Sequence, residues 1–238
     1  MKKRFILLLL VLMLETNIAM KAEDLVFKSS IDLNGDNKIE NINLTKIGDT
    51  GGFYLEISGQ KTEDKIGDVP DGFLIIDINT NDKYKEIAVH TPGPSDDDQY
   101  LIYWYDGKSV KRMALLARWP KFLGNGIVYV DNWMDFWMRR EKYILNNSTR
   151  ELELVPQFAY YVGVKATVKK SFSIFKDKKL KQEVAFLSKY SEIELLLCDM
   201  NYREAYDDLF LIRSKSNLIG WAGCKEVFEN LEGLPSAD

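Results

Sequence analysis

The sequence predicts an all-β fold, with blade-like antiparallel β-meander repeats followed by a small five-stranded C-terminal barrel. Three observations carry this expectation. An acidic turn feeding an apolar strand occurs at Asp32-Leu33-Asn34-Gly35-Asp36-Asn37-Lys38-Ile39-Glu40 and again 45 positions later at Asp77-Ile78-Asn79-Thr80-Asn81-Asp82-Lys83-Tyr84-Lys85-Glu86. Short alternating apolar runs separated by Gly, Asn and Asp turns recur on the same spacing. The last third crowds five short strand-like runs together. A period near 45 residues is the length of one propeller blade. Three units fall short of the roughly four to eight blades of a closed ring. That leaves an incomplete propeller-like array, a sandwich of three meanders, or a ring completed by a second copy; the first two are preferred.

In chain order, Lys2, Lys3 and Arg4 precede an apolar run from Phe5 to Leu14 that is too short to span a bilayer. Residues 1–22 are therefore expected to be a cleaved export signal, with Ala19 and Ala22 as small residues near the cut. They hold four Lys or Arg and one Glu, so their removal takes the formal charge from -4 to -7. An acidic balance argues against a general nucleic-acid or anionic-membrane binder, which needs a basic face. No second run of spanning length follows, so no transmembrane anchor is expected.

A repeat domain is expected over residues 23–158. Its first unit has strands at Ile42-Asn43-Leu44 and Phe53-Tyr54-Leu55-Glu56-Ile57 around the turn Gly48 to Gly52. The second runs from Ile87-Ala88-Val89 through Asp96-Asp97-Asp98 to Tyr100-Leu101-Ile102-Tyr103-Trp104-Tyr105. A fainter third has Ile127 to Val130 and Lys142 to Leu145, without the acidic loop. The chain changes character near Pro156, and residues 160–238 form the expected barrel domain. Its strands are read at 164–169, 171–175, 192–197, 209–213 and 218–221, while 182–188 has the propensity of a short helix.

In the first acidic loop, oxygen-bearing side chains at alternate positions face one concavity, the way a short loop wraps a hard divalent cation. Asp32, Asn34, Asp36 and Glu40 are the metal candidates, calcium the ion, and the role structural. The alternative is an ordinary turn rich in Asp and Asn. Asp96 to Asp98 read as a solvated turn. His90 is the single histidine and no nucleophile elbow, His-Glu-x-x-His or phosphate loop accompanies it, so it is read as a rim or core residue. Trp133 and Trp137, in Trp-Met-Asp-Phe-Trp-Met-Arg-Arg, form either a core plug, which is preferred, or a ligand surface. Tyr206 and Trp221 could line a groove of the barrel. Cys198 and Cys224 either pair in an oxidising compartment or stand as separate buried thiols.

The Asp-x-Asn-x-Asp-x-x-x-Glu loop before an apolar strand resembles the FG-GAP and VCBS repeats, whose bacterial members bind calcium there. The resemblance adds the Lys38 carbonyl to the ligand set. It departs at Asn37, where the family has Gly, and in the second loop, where Asn81 replaces an acid and Glu86 lies one position too far along. The last third is similar to bacterial Src-homology-3 type barrels through Leu209-Phe210-Leu211-Ile212-Arg213, the turn Ser214 to Asn217, and Ile219-Gly220-Trp221. Such modules attach to cell-wall glycopeptide or other envelope ligands. Together these resemblances imply an exported, periplasmic or wall-associated protein of the bacterial envelope. It would act as a non-enzymatic binding module whose partners are wall glycopeptide or an envelope protein. The competing expectations are a secreted hydrolase of polysaccharide or peptidoglycan using two carboxylates, and a lid or inhibitor of another exported protein.

Overall fold

The computed structural model describes residues 25–93, 97–200 and 207–236; residues 1–22, where an export signal is expected, and Asp96 and Tyr206 lie outside them. Within them the all-β expectation holds. The first sheet is an antiparallel meander of β1 (Lys28–Ile31), β2 (Glu40–Ile47), β3 (Gly52–Ile57) and β4 (Gln60–Lys65). The second is β5 (Gly72–Ile76), β6 (Glu86–Thr91), β7 (Gln99–Tyr105) and β8 (Val110–Ala117). The third is β9 (Trp119–Phe122), β10 (Ile127–Met134), β11 (Trp137–Asn146) and β12 (Glu151–Leu154). Each expected unit is thus one four-stranded meander, and the strands legible in the sequence are its two central ones. The outer strand β4, Gln-Lys-Thr-Glu-Asp-Lys, has no apolar residue to betray it. Its charges keep that sheet edge from recruiting another strand.

The three sheets stack face to face, because β-strand side chains alternate between faces. Phe73, Ile87, Val89, Leu101 and Tyr103 of the second sheet pack on Ile42, Leu44, Phe53, Leu55 and Ile57 of the first. The intervening Leu74, Ile76, Ala88, Tyr100 and Ile102 pack on Val128, Val130, Leu145 and Leu152 of the third. The middle sheet is consequently covered on both sides, and every residue of β6 is buried. That is why its sequence reads as a continuous apolar run rather than an alternation.

The C-terminal part contains β13 (Tyr160–Val168), β14 (Phe172–Phe175), β15 (Glu183–Leu187), β16 (Glu192–Asp199), β17 (Leu209–Ser214), β18 (Ile219–Gly223), α1 (Cys224–Asn230) and β19 (Leu231–Glu232). In place of a five-stranded barrel there is one seven-stranded sheet with the open order β15-β14-β18-β17-β16-β13-β19. The five expected strands are all present. The segment 182–188 forms the added strand β15, not a helix, because pairing with β14 puts Leu187 into the core, with Val184 and Ala185 packed against it. The core of this part also takes in Phe136 and Trp137 from the β10–β11 hairpin. The Phe136 ring lies 5.6 Å from Phe210 and 5.4 Å from Phe228. The sheets change at residues 155–159, but the apolar core crosses that line.

Candidate functional site

The acidic turns are the most regular feature of the repeat stack, and they are built alike. Leu33 and Ile78 follow the first Asp of each turn and are fully buried. The Leu33 N–H donates to Glu40 Oε2 at 2.8 Å, and the Ile78 N–H to Glu86 Oε2 at 3.1 Å. Their carbonyls accept from the next turn along: Leu33 from the Lys85 N–H at 2.9 Å, Ile78 from the Gly126 N–H at 2.8 Å. The terminal glutamate of each turn is therefore a latch on a buried backbone donor that would otherwise be unpaired. The one-residue difference in spacing is absorbed within the loop, so Glu86 does the work of Glu40.

The two turns differ in how their charge is compensated. In the first, Asp32 accepts from the Gly35, Asp36 and Asn37 N–H groups at 2.7, 3.3 and 2.8 Å. Desolvation is the largest single influence on the Asp32 carboxyl and raises it, but these N–H groups together outweigh it and hold the carboxyl below its ordinary value. Asn34 Oδ1 accepts from the Asp36 N–H, and Asp36 Oδ1 from the Lys38 N–H, both at 2.9 Å. Gly35 and Asn37 take the left-handed conformation, with φ of 68° and 65°, which lets the backbone curl around Asp32. The turn Asp106 to Ser109 of the second sheet closes on this loop, where a Cβ at Gly107 would lie 2.9 Å from Asn34 Nδ2. Burial first, and then the negative field of Glu40, Asp106 and Asp36, raises the nearby Tyr105 phenol. Among the described residues Glu40 has no cationic partner; its second oxygen lies 3.4 Å from Asn34 Nδ2.

The second turn has an internal cation. Arg150, from the β11–β12 turn of the third sheet, reaches it with Nη2 at 2.8 Å from Glu86 Oε1 and Nη1 at 2.9 Å from Asp82 Oδ2. Its guanidinium lies 4.8 Å from the Tyr84 ring centre and 5.4 Å from that of Trp104. Arg150 is buried and sits at φ 58°, a conformation costing a non-glycine residue about 1 kcal/mol or more, which the ion pairs offset. Burial pushes the Glu86 carboxyl up to about 7. The Ile78 N–H and Arg150 oppose that rise, while Asp82 and Asp77 add to it. No local signal in Asn-Asn-Ser-Thr-Arg announces this contact.

Of the metal candidates, Asp32, Asn34, Asp36, the Lys38 carbonyl and Glu40 are brought into one turn. They supply hard oxygen donors: Asp32 Oδ2, Asp36 Oδ1 and Glu40 Oε2 each accept one N–H and keep a further lone pair for a cation, whereas Asp32 Oδ1 accepts two. Among the described residues no group of three or more His, Cys, Asp or Glu side chains stands in metal-holding proximity.

The ligand candidates separate. Trp137 is buried at 4% exposure in the C-terminal core, the preferred of its two readings, so it is removed from the ligand candidates; the β10–β11 hairpin carries it into the neighbouring core. Trp133 is half-buried. The adjacent arginines are engaged within their own sheet, Arg140 with Asp131 at 2.6 and 2.7 Å and Arg139 with Glu141 at 3.0 Å. Trp221 is half-buried on the outer side of β18, with Lys178 Nζ 5.1 Å over its ring. Cys198 and Cys224 are free and buried, the second of the two alternatives. Cys198 lies on β16 opposite Phe210, whereas Cys224 begins α1, just past β18, with its N–H donating to the Asp208 carbonyl at 2.9 Å. His90 is buried, with Nδ1 2.7 Å from Asp71 Oδ1 and Nε2 3.7 Å from Asp98 Oδ2.

The C-terminal sheet carries a concavity missed in the sequence. About 420 Å³ in volume, it opens on the outer side of β13, β16, β17 and β19, where Lys165 and Arg213 alternate with Glu192, Glu194 and Glu232. Arg213 is ion-paired with Glu194. No protein-family model matches the chain, and no curated protein or solved structure matches it either.

Proposed function

We propose that this is an exported, non-enzymatic binding protein of the bacterial cell envelope, whose C-terminal sheet takes the peptide part of cell-wall glycopeptide. The observation that carries this reading is the 420 Å³ concavity and its alternating charge. Wall peptides bear both carboxylates and amines, and a surface with cations and carboxylates in adjacent rows answers both. The site is open and polar, which suits an extended polymer better than an enclosed small molecule. The test is co-sedimentation of the full chain with purified, lipid-free cell walls. The chain pellets with them, and Lys165→Glu combined with Arg213→Glu releases it; a wild-type chain that stays in the supernatant ends this reading.

The first acidic turn is proposed as a structural calcium site held by Asp32, Asn34, Asp36, the Lys38 carbonyl and Glu40. The difference between the two turns favours it: the second has Arg150, whereas the first has its oxygen donors and no described cation on Glu40. Calcium would supply the missing charge and cross-link the loop. Calorimetry of calcium binding to the wild type and Asp32→Ala separates this from a plain turn, since equal heats in both would exclude the loop as the site.

A further inference from the structure

We propose that one end of the C-terminal sheet docks on an anionic lipid surface. The three turns 169–171, 188–191 and 215–218 join β13 to β14, β15 to β16 and β17 to β18, and antiparallel register places all three at the same end. Thr167 lies opposite Glu192, Phe172 opposite Leu187, and Ile193 opposite Ser214. The turns are also tied together. The Tyr190 N–H donates to the Val168 carbonyl at 2.7 Å, and the Lys189 N–H to Ser171 Oγ at 2.9 Å.

This end gathers two chemistries. Lys169, Lys170, Lys189 and Lys215 are exposed, and the turns themselves contain no Asp or Glu. Glu192 lies beside them, 3.8 Å from Lys215, and Glu229 and Glu232 flank Asn230, whose carbonyl accepts from the Lys169 and Lys170 N–H groups. Interleaved with the lysines are four large exposed apolar or aromatic side chains: Tyr190 at 71%, Phe186 at 61%, Ile219 at 48% and Leu218 at 46%. Between them opens a hollow of about 460 Å³ lined by Phe186, Ser188, Ser191, Ser214, Lys215 and Ser216. Hydroxyls and an ammonium in a hollow suit a phosphate-bearing headgroup, and the aromatic rim suits the boundary between headgroups and acyl chains. Charge alone would suit any acidic polymer; charge interleaved with exposed Phe, Tyr, Leu and Ile suits a bilayer. The whole chain is acidic, at -4, yet folding assembles a basic face that the composition hides.

The test is sedimentation of the full chain with vesicles of equal parts phosphatidylcholine and phosphatidylglycerol, against vesicles of phosphatidylcholine alone. Three chains are compared: wild type, Lys189→Gln/Lys215→Gln, and Phe186→Ser/Tyr190→Ser. The apolar run at residues 5–14 is common to all three, and hydrogen exchange of the three turns gives a second readout that this run does not supply. Expected are preferential binding to the anionic vesicles and slowed exchange in the turns. The lysine pair should weaken binding by about 25-fold, at about fivefold per lysine, and the aromatic pair by about tenfold. The proposal is overturned by unchanged exchange in the turns or by no preference for anionic lipid. Loss in the lysine variant with none in the aromatic variant also overturns it, and assigns the face to an acidic polymer instead. Lipid-free walls are the substrate of the preceding test, so failure of one proposal leaves the other standing.

Discussion

Arg150 Nη2 and Glu86 Oε1, 64 residues apart in sequence and on different sheets, meet at 2.8 Å with both side chains buried. The contact joins the third meander to the acidic turn of the second, at a position where a bound cation would otherwise be called for. Removing the guanidinium leaves two carboxylates, Glu86 and Asp82, facing one another without compensation. Arg150→Met is expected to destabilise the chain by about 3 kcal/mol in urea unfolding at a pH above the Glu86 midpoint, since breaking a buried pair strands its partner's charge. Glu86→Gln in the same background should recover part of that loss. A double variant no more stable than Arg150→Met would show that the pair is not coupled.

The same carboxylate sets a pH dependence. Burial raises Glu86 to about 7 from an unfolded value of 4.5, so between those values the folded chain holds a proton that the unfolded chain has released. Stability from this group is therefore fully present below about pH 4.5 and is lost as pH rises through about 7. The difference amounts to at most about 3 kcal/mol. Unfolding of wild type and Glu86→Gln across this window isolates it: the wild type should lose stability relative to the variant as pH rises. A constant difference would show that Glu86 releases its proton at the same pH in the folded and the unfolded chain.

The latch of Glu40 on Leu33 is read most directly from the amide it protects. Glu40→Ala should cost about 1–3 kcal/mol by leaving a buried N–H unpaired. It should also accelerate hydrogen exchange at Leu33 more than at the central residues of β2. Uniform acceleration through the first sheet would mean that the contact is dispensable and that the substitution acts on global stability alone.

Much of the fold was legible because the central strands of each meander are apolar and separated by Gly, Asn and Asp turns. The outer strands were not, since β1 and β4 are polar edges whose structure comes from pairing rather than burial. The acidic turns are legible from their spacing. Glu86 lies one position further along than the metal-loop pattern has it, yet its carboxylate reaches the Ile78 N–H, the equivalent of the Leu33 N–H held by Glu40. Arg150 is silent in the sequence because its role is fixed by a contact between sheets. Trp137 shows the converse. A dense aromatic cluster marks burial or binding equally well, and only the insertion of the β10–β11 hairpin into the C-terminal core decides between them.

That insertion makes the repeat stack and the C-terminal sheet interdependent. Phe136 is 2% exposed and touches Phe210 and Phe228, so Phe136→Ala should cost about 3–5 kcal/mol by cavity formation. The loss should fall on the C-terminal part although the residue belongs to the third meander. Hydrogen exchange that rises in β16 and β17 supports the shared core; a rise confined to β10 and β11 contradicts it.

Burial also governs the two thiols. It pushes Cys224 up to about 11 and drives Cys198 further in the same direction, so neither is appreciably thiolate at neutral pH. Both side chains lie within the C-terminal core, Cys198 on β16 and Cys224 at the start of α1. The folded chain should therefore leave both thiols unreacted with an aromatic disulfide reagent over the time in which the urea-unfolded chain titrates two. Reduction should leave its thermal midpoint unchanged. A chain that shows no free thiol after unfolding without reductant would mean that the cysteines pair.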